Sequence, residues 1–290
     1  MTIKILITGG SGFIGSHLIK KLLNIYDDIK ILSIDNYLTG NKTNEINDKR
    51  VLYVEDTTIN ILKYLYYNPD IIYHFGEYSR ISQSFEEPEL VIENNILGTS
   101  KVIEYSVKCN SLLIYSCSSA ILGNEKKDDK LSPYCWTKAK NLELIENYKE
   151  WYGLRYIILY FYNVFGPKQI CKGQYATVIG VFEEQYRNKE DLTVVLPGIQ
   201  KRSFTHIEDT INGIIIGSIK GELYNSYYIT NDKQYTILDV AKLFNAKYKF
   251  VKEKKGDRLL STGNNEDLKK LGWKIRNSLE DYIKNIIESN

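Results

Sequence analysis

Residues 3–15 read Ile-Lys-Ile-Leu-Ile-Thr-Gly-Gly-Ser-Gly-Phe-Ile-Gly, and their order decides the fold. Ile3, Ile5, Leu6 and Ile7 make a short apolar run rich in β-branched residues, the pattern of a strand buried on both faces. Gly9, Gly12 and Gly15 follow at three-residue spacing. Behind them Phe13, Ile14, Leu18, Leu22 and Leu23 recur at helical spacing. The order is strand, glycine turn, helix. Glycine lets the backbone turn tightly and lets a pyrophosphate come close, and the helix start offers unpaired N–H groups and partial positive charge. A tight turn with no ligand would use the same glycines, and Asp35 separates the two readings. It closes a second apolar run (Ile29, Ile31, Leu32, Ile34). It also lies about 20 residues past the last glycine, where an acidic residue accepts hydrogen bonds from the adenosine ribose. Gly9, Gly12, Phe13, Ile14, Gly15, Asp35 and Asn36 therefore predict a dinucleotide site. Asp35 would repel a 2′-phosphate, so the expected cofactor is NAD.

A chain of 290 residues has room for one large domain or two unequal ones. The formal net charge is +2 with both signs interspersed, which lacks the basic stripe that nucleic acid requires. The small cluster Lys252, Lys254, Lys255 and Arg258 suits at most a phosphate. No apolar run reaches the ~18 residues of a membrane span, and no cleavable signal pattern precedes the first strand. Cys109, Cys117, Cys135 and Cys171 have no metal-like spacing. They read as reduced thiols, so a cytoplasmic enzyme is expected.

Further along, each buried strand pattern runs into a polar stretch. Residues 51–54 lead into Glu55-Asp56-Thr57, where Asp56 either reaches the adenine edge or is a solvated loop carboxylate. Residues 71–75 end in Gly76-Glu77-Tyr78-Ser79-Arg80. Residues 112–115 end in Ser116-Cys117-Ser118-Ser119-Ala120, and residues 156–162 end in Asn163-Val164-Phe165-Gly166-Pro167. Helical patterns cover 59–67, 95–107 and 134–152. The alternation predicts an α/β fold with a Rossmann-type doubly wound parallel sheet, whose ligands sit beyond the carboxyl ends of the strands. The rhythm changes after residue 167. Helix is expected over 178–187 and short strands over 192–196 and 248–251. The expected organisation is a nucleotide-binding domain over 1–166, with 203–228 returning to it. A smaller mixed α/β substrate-binding region would comprise 167–202 and 229–290.

Tyr134 and Lys138 stand four apart at a helix start announced by Pro133, so they share a face. An ammonium beside a phenol stabilises the phenolate and lowers its pKa. Such a tyrosine takes the proton of a sugar hydroxyl while hydride leaves the same carbon. Ser118 or Ser119 can orient that hydroxyl, or can simply satisfy a strand end.

Together these residues resemble the extended short-chain dehydrogenase/reductase superfamily, in its nucleotide-sugar epimerase/dehydratase branch. The resemblance spans almost the whole chain. It rests on Thr8-Gly9-Gly10-Ser11-Gly12-Phe13-Ile14-Gly15, Asp35-Asn36, Asn95-x-x-Gly98-Thr99, Tyr134-x-x-x-Lys138 and Asn163-Val164-Phe165-Gly166-Pro167. Gly198-x-Gln200-x-Arg202-x-Phe204 with Asp209, and Leu271-Gly272-Trp273, complete it. It implies Tyr134 as catalytic base, Lys138 as its partner and ribose ligand, and Ser118 as the hydroxyl on the reacting oxygen. It places Asp56, Thr57, Phe75, Gly76 and Asn95 with the NAD-binding residues. It places Ser119, Arg80, Asn163, Gln200, Arg202 and Arg258 with the substrate, arginine forks suiting a diphosphate. The implied substrate is a UDP-hexose or UDP-N-acetylhexosamine and the implied assembly a homodimer. Leu97, Val102 and Tyr105 with Leu142, Ile145 and Tyr148 would form its face, unless they pack on the chain's own core.

The departures bear on the reaction. Dehydratases of this branch carry Thr-Asp-Glu, or Asp-Lys in the inverting kind, where this chain has Ser118-Ser119-Ala120. The loop over 123–134 is shorter than in epimerases. The usual Ala-Ala is Gly76-Glu77, and the usual arginine before the strand-end asparagine is Tyr160. Glu77 joins the candidate catalytic residues as an acid/base group in a new position, with a structural pairing to Arg80 as the alternative. The shared first step is oxidation of a sugar to its 4-ketone. The sequence favours return of the hydride to the other face, a 4-epimerase. The alternatives are loss of the carbon-6 hydroxyl (a 4,6-dehydratase, with or without inversion at carbon 5) and release of the ketone. A non-catalytic nucleotide sensor would have no use for Tyr134 and Lys138.

Overall fold

The computed structural model describes residues 2–122, 131–253, 255–256 and 263–289. In chain order the first half comprises β1 (Ile3–Thr8), α1 (Phe13–Ile25), β2 (Ile29–Asp35), β3 (Val51–Glu55), β4 (Ile71–His74), α2 (Pro88–Val91), α3 (Thr99–Cys109), β5 (Leu112–Ser118), α4 (Pro133–Tyr152) and β6 (Arg155–Phe161). The second half comprises β7 (Val164–Phe165), α5 (Val178–Arg187), β8 (Leu192–Val195), β9 (Lys201–Ser203), β10 (Thr205–His206), α6 (Ile207–Lys220), β11 (Ser226–Ile229), β12 (Gln234–Thr236), α7 (Ile237–Leu243), β13 (Tyr248–Val251), α8 (Glu266–Lys270) and α9 (Leu279–Glu288).

Seven strands form one parallel sheet in the order β3-β2-β1-β4-β5-β6-β11. The doubly wound α/β fold is thus present, and its growth reverses between β1 and β4. Successive side chains of a strand point to opposite faces. Leu6, Leu113, Tyr115, Cys117, Tyr156 and Ile158 therefore enter one core, shared with α3 and α4. Ile5, Ile7, Ile114, Ile157 and Leu159 enter the other, shared with α1 and α6. Both faces are covered, which is why the strands read as unbroken apolar runs. A third core gathers Phe165, Phe182, Leu192, Val194, Phe204, Val240, Phe244 and Ile283 around the small pairs β8–β13 and β9–β12.

The late Leu-Gly-Trp motif anchors the chain end on the main sheet. Trp273, 1% exposed, donates from Nε1 to the Asp209 carbonyl at 2.8 Å. The Asp209 carboxylate accepts from the backbone of Arg276 and Asn277 at 3.0 and 2.9 Å. Cys109, Cys117, Cys135 and Cys171 are in no disulfide, and among the described residues no helix is long and apolar enough to cross a membrane.

Three expectations change locally. The helix expected over 59–67 winds as a tight 3₁₀ helix, Thr58–Tyr67, broken at Tyr64. The helix expected over 95–107 begins earlier and in a wider form: Ile92–Gly98 is a π-helical segment running into α3. Of the six candidate dimer residues, Val102, Tyr105 and Ile145 are buried in the chain's own core, and Leu142 and Tyr148 pack against it. Leu97 alone of the six is exposed, at 52%.

Candidate active site

One deep cleft opens at the carboxyl ends of the strands, over the switch point between β1 and β4. It is bordered by Gly9, Gly12, Phe13, Ile14, Gly15, Asp35, Asn36, Phe75, Gly76, Glu77, Arg80, Ser118, Ser119, Tyr134, Lys138 and Asn163. Residues spread over 155 positions of sequence are brought together there.

The glycine turn has two kinds of glycine. Gly9 has φ +73, and a Cβ on it would lie 2.9 Å from the Gly76 nitrogen. A Cβ on Gly15 would lie 2.2 Å from the Gly9 carbonyl oxygen. These two are demanded by the protein's own packing. A Cβ on Gly12 would meet only the Gly9 oxygen, at 3.1 Å, and otherwise open cleft. Gly12 is also the N-cap of α1, which has no side-chain cap and no acidic residue in its first turn. The first N–H groups of a helix have no intrahelical partner, so here they face the cleft. An open cradle of backbone donors at a helix start fits a dinucleotide pyrophosphate.

Asp35 ends β2 and is 7% exposed. Its carboxylate accepts from the backbone N–H of Ser11 at 2.9 Å and of Tyr37 at 2.8 Å. Burial pushes its pKa up against those hydrogen bonds. It thus holds the glycine turn to the end of β2 as well as bordering the cleft. Asp35→Asn sets an amide against two N–H donors. The variant should bind NAD about 30-fold more weakly, as about 2 kcal/mol of charge-assisted bonding is lost; NAD retained after gel filtration measures it.

Several expected cofactor residues stand elsewhere. Asp56 and Thr57 do not border the cleft. The Asp56 carboxylate accepts from Thr57 N at 2.8 Å, Asn60 Nδ2 at 2.7 Å and Tyr64 OH at 2.7 Å, so it is tied to side chains of the 3₁₀ helix that follows, whose N-cap is Thr57. Asn95 is fully buried and bonds both backbone groups of Tyr78, at 2.7 and 3.0 Å, and Thr137 Oγ1 at 3.0 Å. The π-helical turn directs its neighbour Asn94 to the cleft instead, where Asn94 Oδ1 accepts from Asn36 Nδ2 at 3.2 Å. Leu38, Thr39, Gly40 and the stretch from Tyr175 to Ile179 also border the cleft. Sequence reasoning passed over these, although Leu38, Thr39 and Gly40 follow Asp35 at once.

Ser132 caps α4, accepting from Cys135 N at 3.1 Å, with Pro133 in the first turn. That start sets Tyr134 and Lys138 on one face, both buried at 6% and 3% exposure. Ser118 acts on the Tyr134 phenol in favour of its phenolate, and its Oγ accepts from Ala120 N at 3.1 Å. The expected lowering of the phenol pKa is not the net result. Burial pushes it up, and Lys138 and Ser118 pull it down by less. Burial acts on Lys138 in the opposite sense, but Glu77 and Tyr134 more than offset it and hold the ammonium above its usual value.

Glu77 borders the cleft but does not pair with Arg80. Its carboxylate is 2% exposed and forms an ion pair with Lys138. Arg80 instead clasps a loop across the cleft, Nε donating to the Tyr175 carbonyl at 2.7 Å and Nη1 to Ser79. Burial lowers the Arg80 pKa. Asn163, at φ +33, donates to the Ser203 carbonyl at 2.8 Å and borders the cleft. Gln200 and Arg202 are buried outside the cleft border. Gln200 Nε2 bonds the carbonyls of Val195 and Leu196, and Arg202 Nη1 bonds that of Lys201. Gln200 thereby braces the turn between β8 and β9, while the Arg202 bond stays within β9. Arg258 lies outside the described residues.

A glycine cradle, an acidic strand end and a Ser-Tyr-Lys set on one cleft define a nucleotide-dependent oxidoreductase-type site. Residues 5–225 match the model of the NAD dependent epimerase/dehydratase family. The chain belongs to that family, and its cofactor is NAD. Among curated relatives, the dTDP-D-glucose 4,6-dehydratase of Dictyostelium discoideum is 30% identical, over 82% of this chain and 61% of that protein. The solved UDP-N-acetylglucosamine 4-epimerase of Methanobrevibacter ruminantium is 26% identical, with a TM-score of 0.88 over 99% of this chain and 98% of that one. The UDP-glucose 4-epimerase of Thermotoga maritima, 24% identical, shares the fold with a TM-score of 0.89 over 99% and 98% of the two chains.

Proposed function

We propose that the chain is a nucleotide-sugar 4-epimerase acting on a UDP-hexose or UDP-N-acetylhexosamine, in the cytoplasm and as a homodimer. One juxtaposition supports this reading: Ser118, Tyr134 and Lys138 border the same cleft as the glycine cradle. The glycine cradle and Asp35 would hold NAD, which would supply the hydride acceptor for carbon 4 of the sugar. Tyr134 takes the proton from the 4-hydroxyl, Ser118 orients that oxygen, and the Lys138 ammonium stabilises the phenolate. Asn163, Ser119 and Arg80 bind the substrate. Once the ketone presents its other face, Tyr134 would return the proton to the carbon-4 oxygen. The dimer reading draws on the exposed apolar side chains Ile92, Leu97 and Trp136.

The dehydratase relative supports a second reading, a 4,6-dehydratase. That reaction needs an acid at carbon 6 and a base at carbon 5. Ser119 and Ala120 offer neither, and the Glu77 carboxylate is tied to Lys138. Incubation with UDP-glucose and UDP-N-acetylglucosamine, without added cofactor, separates the two. An isomer of unchanged mass inverted at carbon 4 by proton NMR is expected. Loss of one water by mass spectrometry would overturn the epimerase in favour of the dehydratase.

A further inference from the structure

We propose that Glu77 is a positioning residue for the proton transfer: its buried carboxylate holds the Lys138 ammonium from behind, aims it at Tyr134 and offsets part of its charge. The inference rests on Tyr134 as the base.

The geometry is closed on every side but one. An ammonium has three N–H donors. One goes to Glu77 Oε2 and one to the Ser116 carbonyl at 2.5 Å, with the Tyr115 ring centre 4.8 Å from Nζ. The third is left for the side that faces Tyr134 and the cleft. Glu77 is fixed in turn. Its Oε1 accepts from Thr99 Oγ1 at 3.1 Å, Tyr115 OH at 3.1 Å and Asn141 Nδ2 at 3.0 Å.

The chain of bonds continues into the glycine turn. Thr99 donates to Glu77, so it receives the Nε2 proton of His74, at 2.8 Å. His74 Nδ1 is then an acceptor, for Thr8 Oγ1 at 2.7 Å. Thr8 Oγ1 accepts from the N–H groups of Phe75 and Gly76 at 3.1 and 3.0 Å. The cofactor turn and the lysine are thereby braced by one buried network. Exchanging Glu77 for the small apolar residue usual at this position would remove its centre.

The electrostatic consequence has a definite sign. The ionisable groups around the pair are His74 from β4, Tyr115 and Cys117 from β5, Tyr134 and Cys135 from α4, and Arg80 from the loop after β4. Burial pushes His74 down to about 4 and Cys117 up to about 12, and it raises Tyr115 well above its usual value. These three are neutral near pH 7. A negative charge raises the proton affinity of every neighbour, and Glu77 acts in that sense on both Lys138 and Tyr134. It helps keep the buried lysine charged, and on Tyr134 its push adds to the larger one of burial.

Tyrosinate absorbance of the NAD-loaded protein tests this without any sugar. The difference between a protein and its Tyr134→Phe partner isolates Tyr134. In Glu77→Gln the Tyr134 transition should move down by about one pH unit or more, a tenfold change in proton affinity. Glu77→Asp, which keeps the charge, should restore most of the wild-type value. A Glu77→Gln transition at the wild-type pH would overturn the proposal. If Glu77→Gln does not fold, the double variant Glu77→Gln/Lys138→Met decides. Its folding supports compensation of Lys138 by Glu77. Its failure assigns Glu77 to the fold alone and overturns the proposal. Lack of turnover with every nucleotide sugar tested would sink the epimerase reading and leave this titration standing.

Discussion

Replacing Tyr134 with phenylalanine is expected to slow turnover by about 10²- to 10⁴-fold while leaving the fold and the NAD content unchanged. The ring stays in the core, where Tyr134 is 6% exposed, and only the hydroxyl is lost. NAD is held by the glycine cradle and Asp35, which the substitution does not touch. The rate falls because the 4-hydroxyl proton loses its acceptor. Lys138 is already protonated, Ser118 is a far weaker base, and Glu77 lies behind Lys138 with its carboxylate 2% exposed. Removing the phenol should also flatten the acid limb of the pH–rate profile, since the group that must lose its proton is gone. Initial rates across pH, with NAD content measured on the same sample, check both points. A variant that turned over at the wild-type rate would exclude proton abstraction by Tyr134 and with it the shared first step of every fate considered for the sugar.

The parts legible in the sequence are those set by local pattern. Ile5, Leu6 and Ile7 announce a strand because both faces of the sheet are covered. Gly9 and Gly15 announce the turn because backbone contacts there exclude a Cβ. Ser132 and Pro133 set the phase of α4, so the shared face of Tyr134 and Lys138 could be read from spacing alone. What spacing could not convey was partner choice across the sheet. Arg80 is three residues from Glu77, yet Glu77 pairs with Lys138, 61 residues away. Asn94 and Asn95 are adjacent, and only the wide turn at Ile92–Gly98 decides which one faces the cleft. Asp56 carries the right charge at a strand end, but the following 3₁₀ helix claims its oxygens. Gln200 belongs to a recognisable pattern, yet spacing did not show that its amide reaches back to the Val195 and Leu196 carbonyls at the end of β8.

The glycine turn allows a paired prediction that separates folding from cofactor binding. Gly15→Ala places a methyl 2.2 Å from the Gly9 carbonyl oxygen and 2.7 Å from the Gly10 Cα, both backbone atoms that cannot swing aside. It should destabilise the protein by about 3 kcal/mol, several degrees of melting temperature, and abolish NAD retention. Gly12→Ala is different. Its backbone, at φ −78 and ψ 179, is open to any residue, and the new methyl meets the Gly9 oxygen at a tight but tolerable 3.1 Å. The melting temperature without NAD should stay near wild type. The methyl projects into the cradle of α1 donors, where the pyrophosphate must come into contact with the backbone. NAD affinity should fall about 100-fold, some 2–3 kcal/mol of steric overlap. Calorimetric titration with NAD and thermal melting of the cofactor-free protein give the two numbers for each variant. Wild-type NAD affinity in Gly12→Ala would mean that the pyrophosphate does not approach α1 at this point, and the cradle would have to be placed elsewhere on the cleft wall.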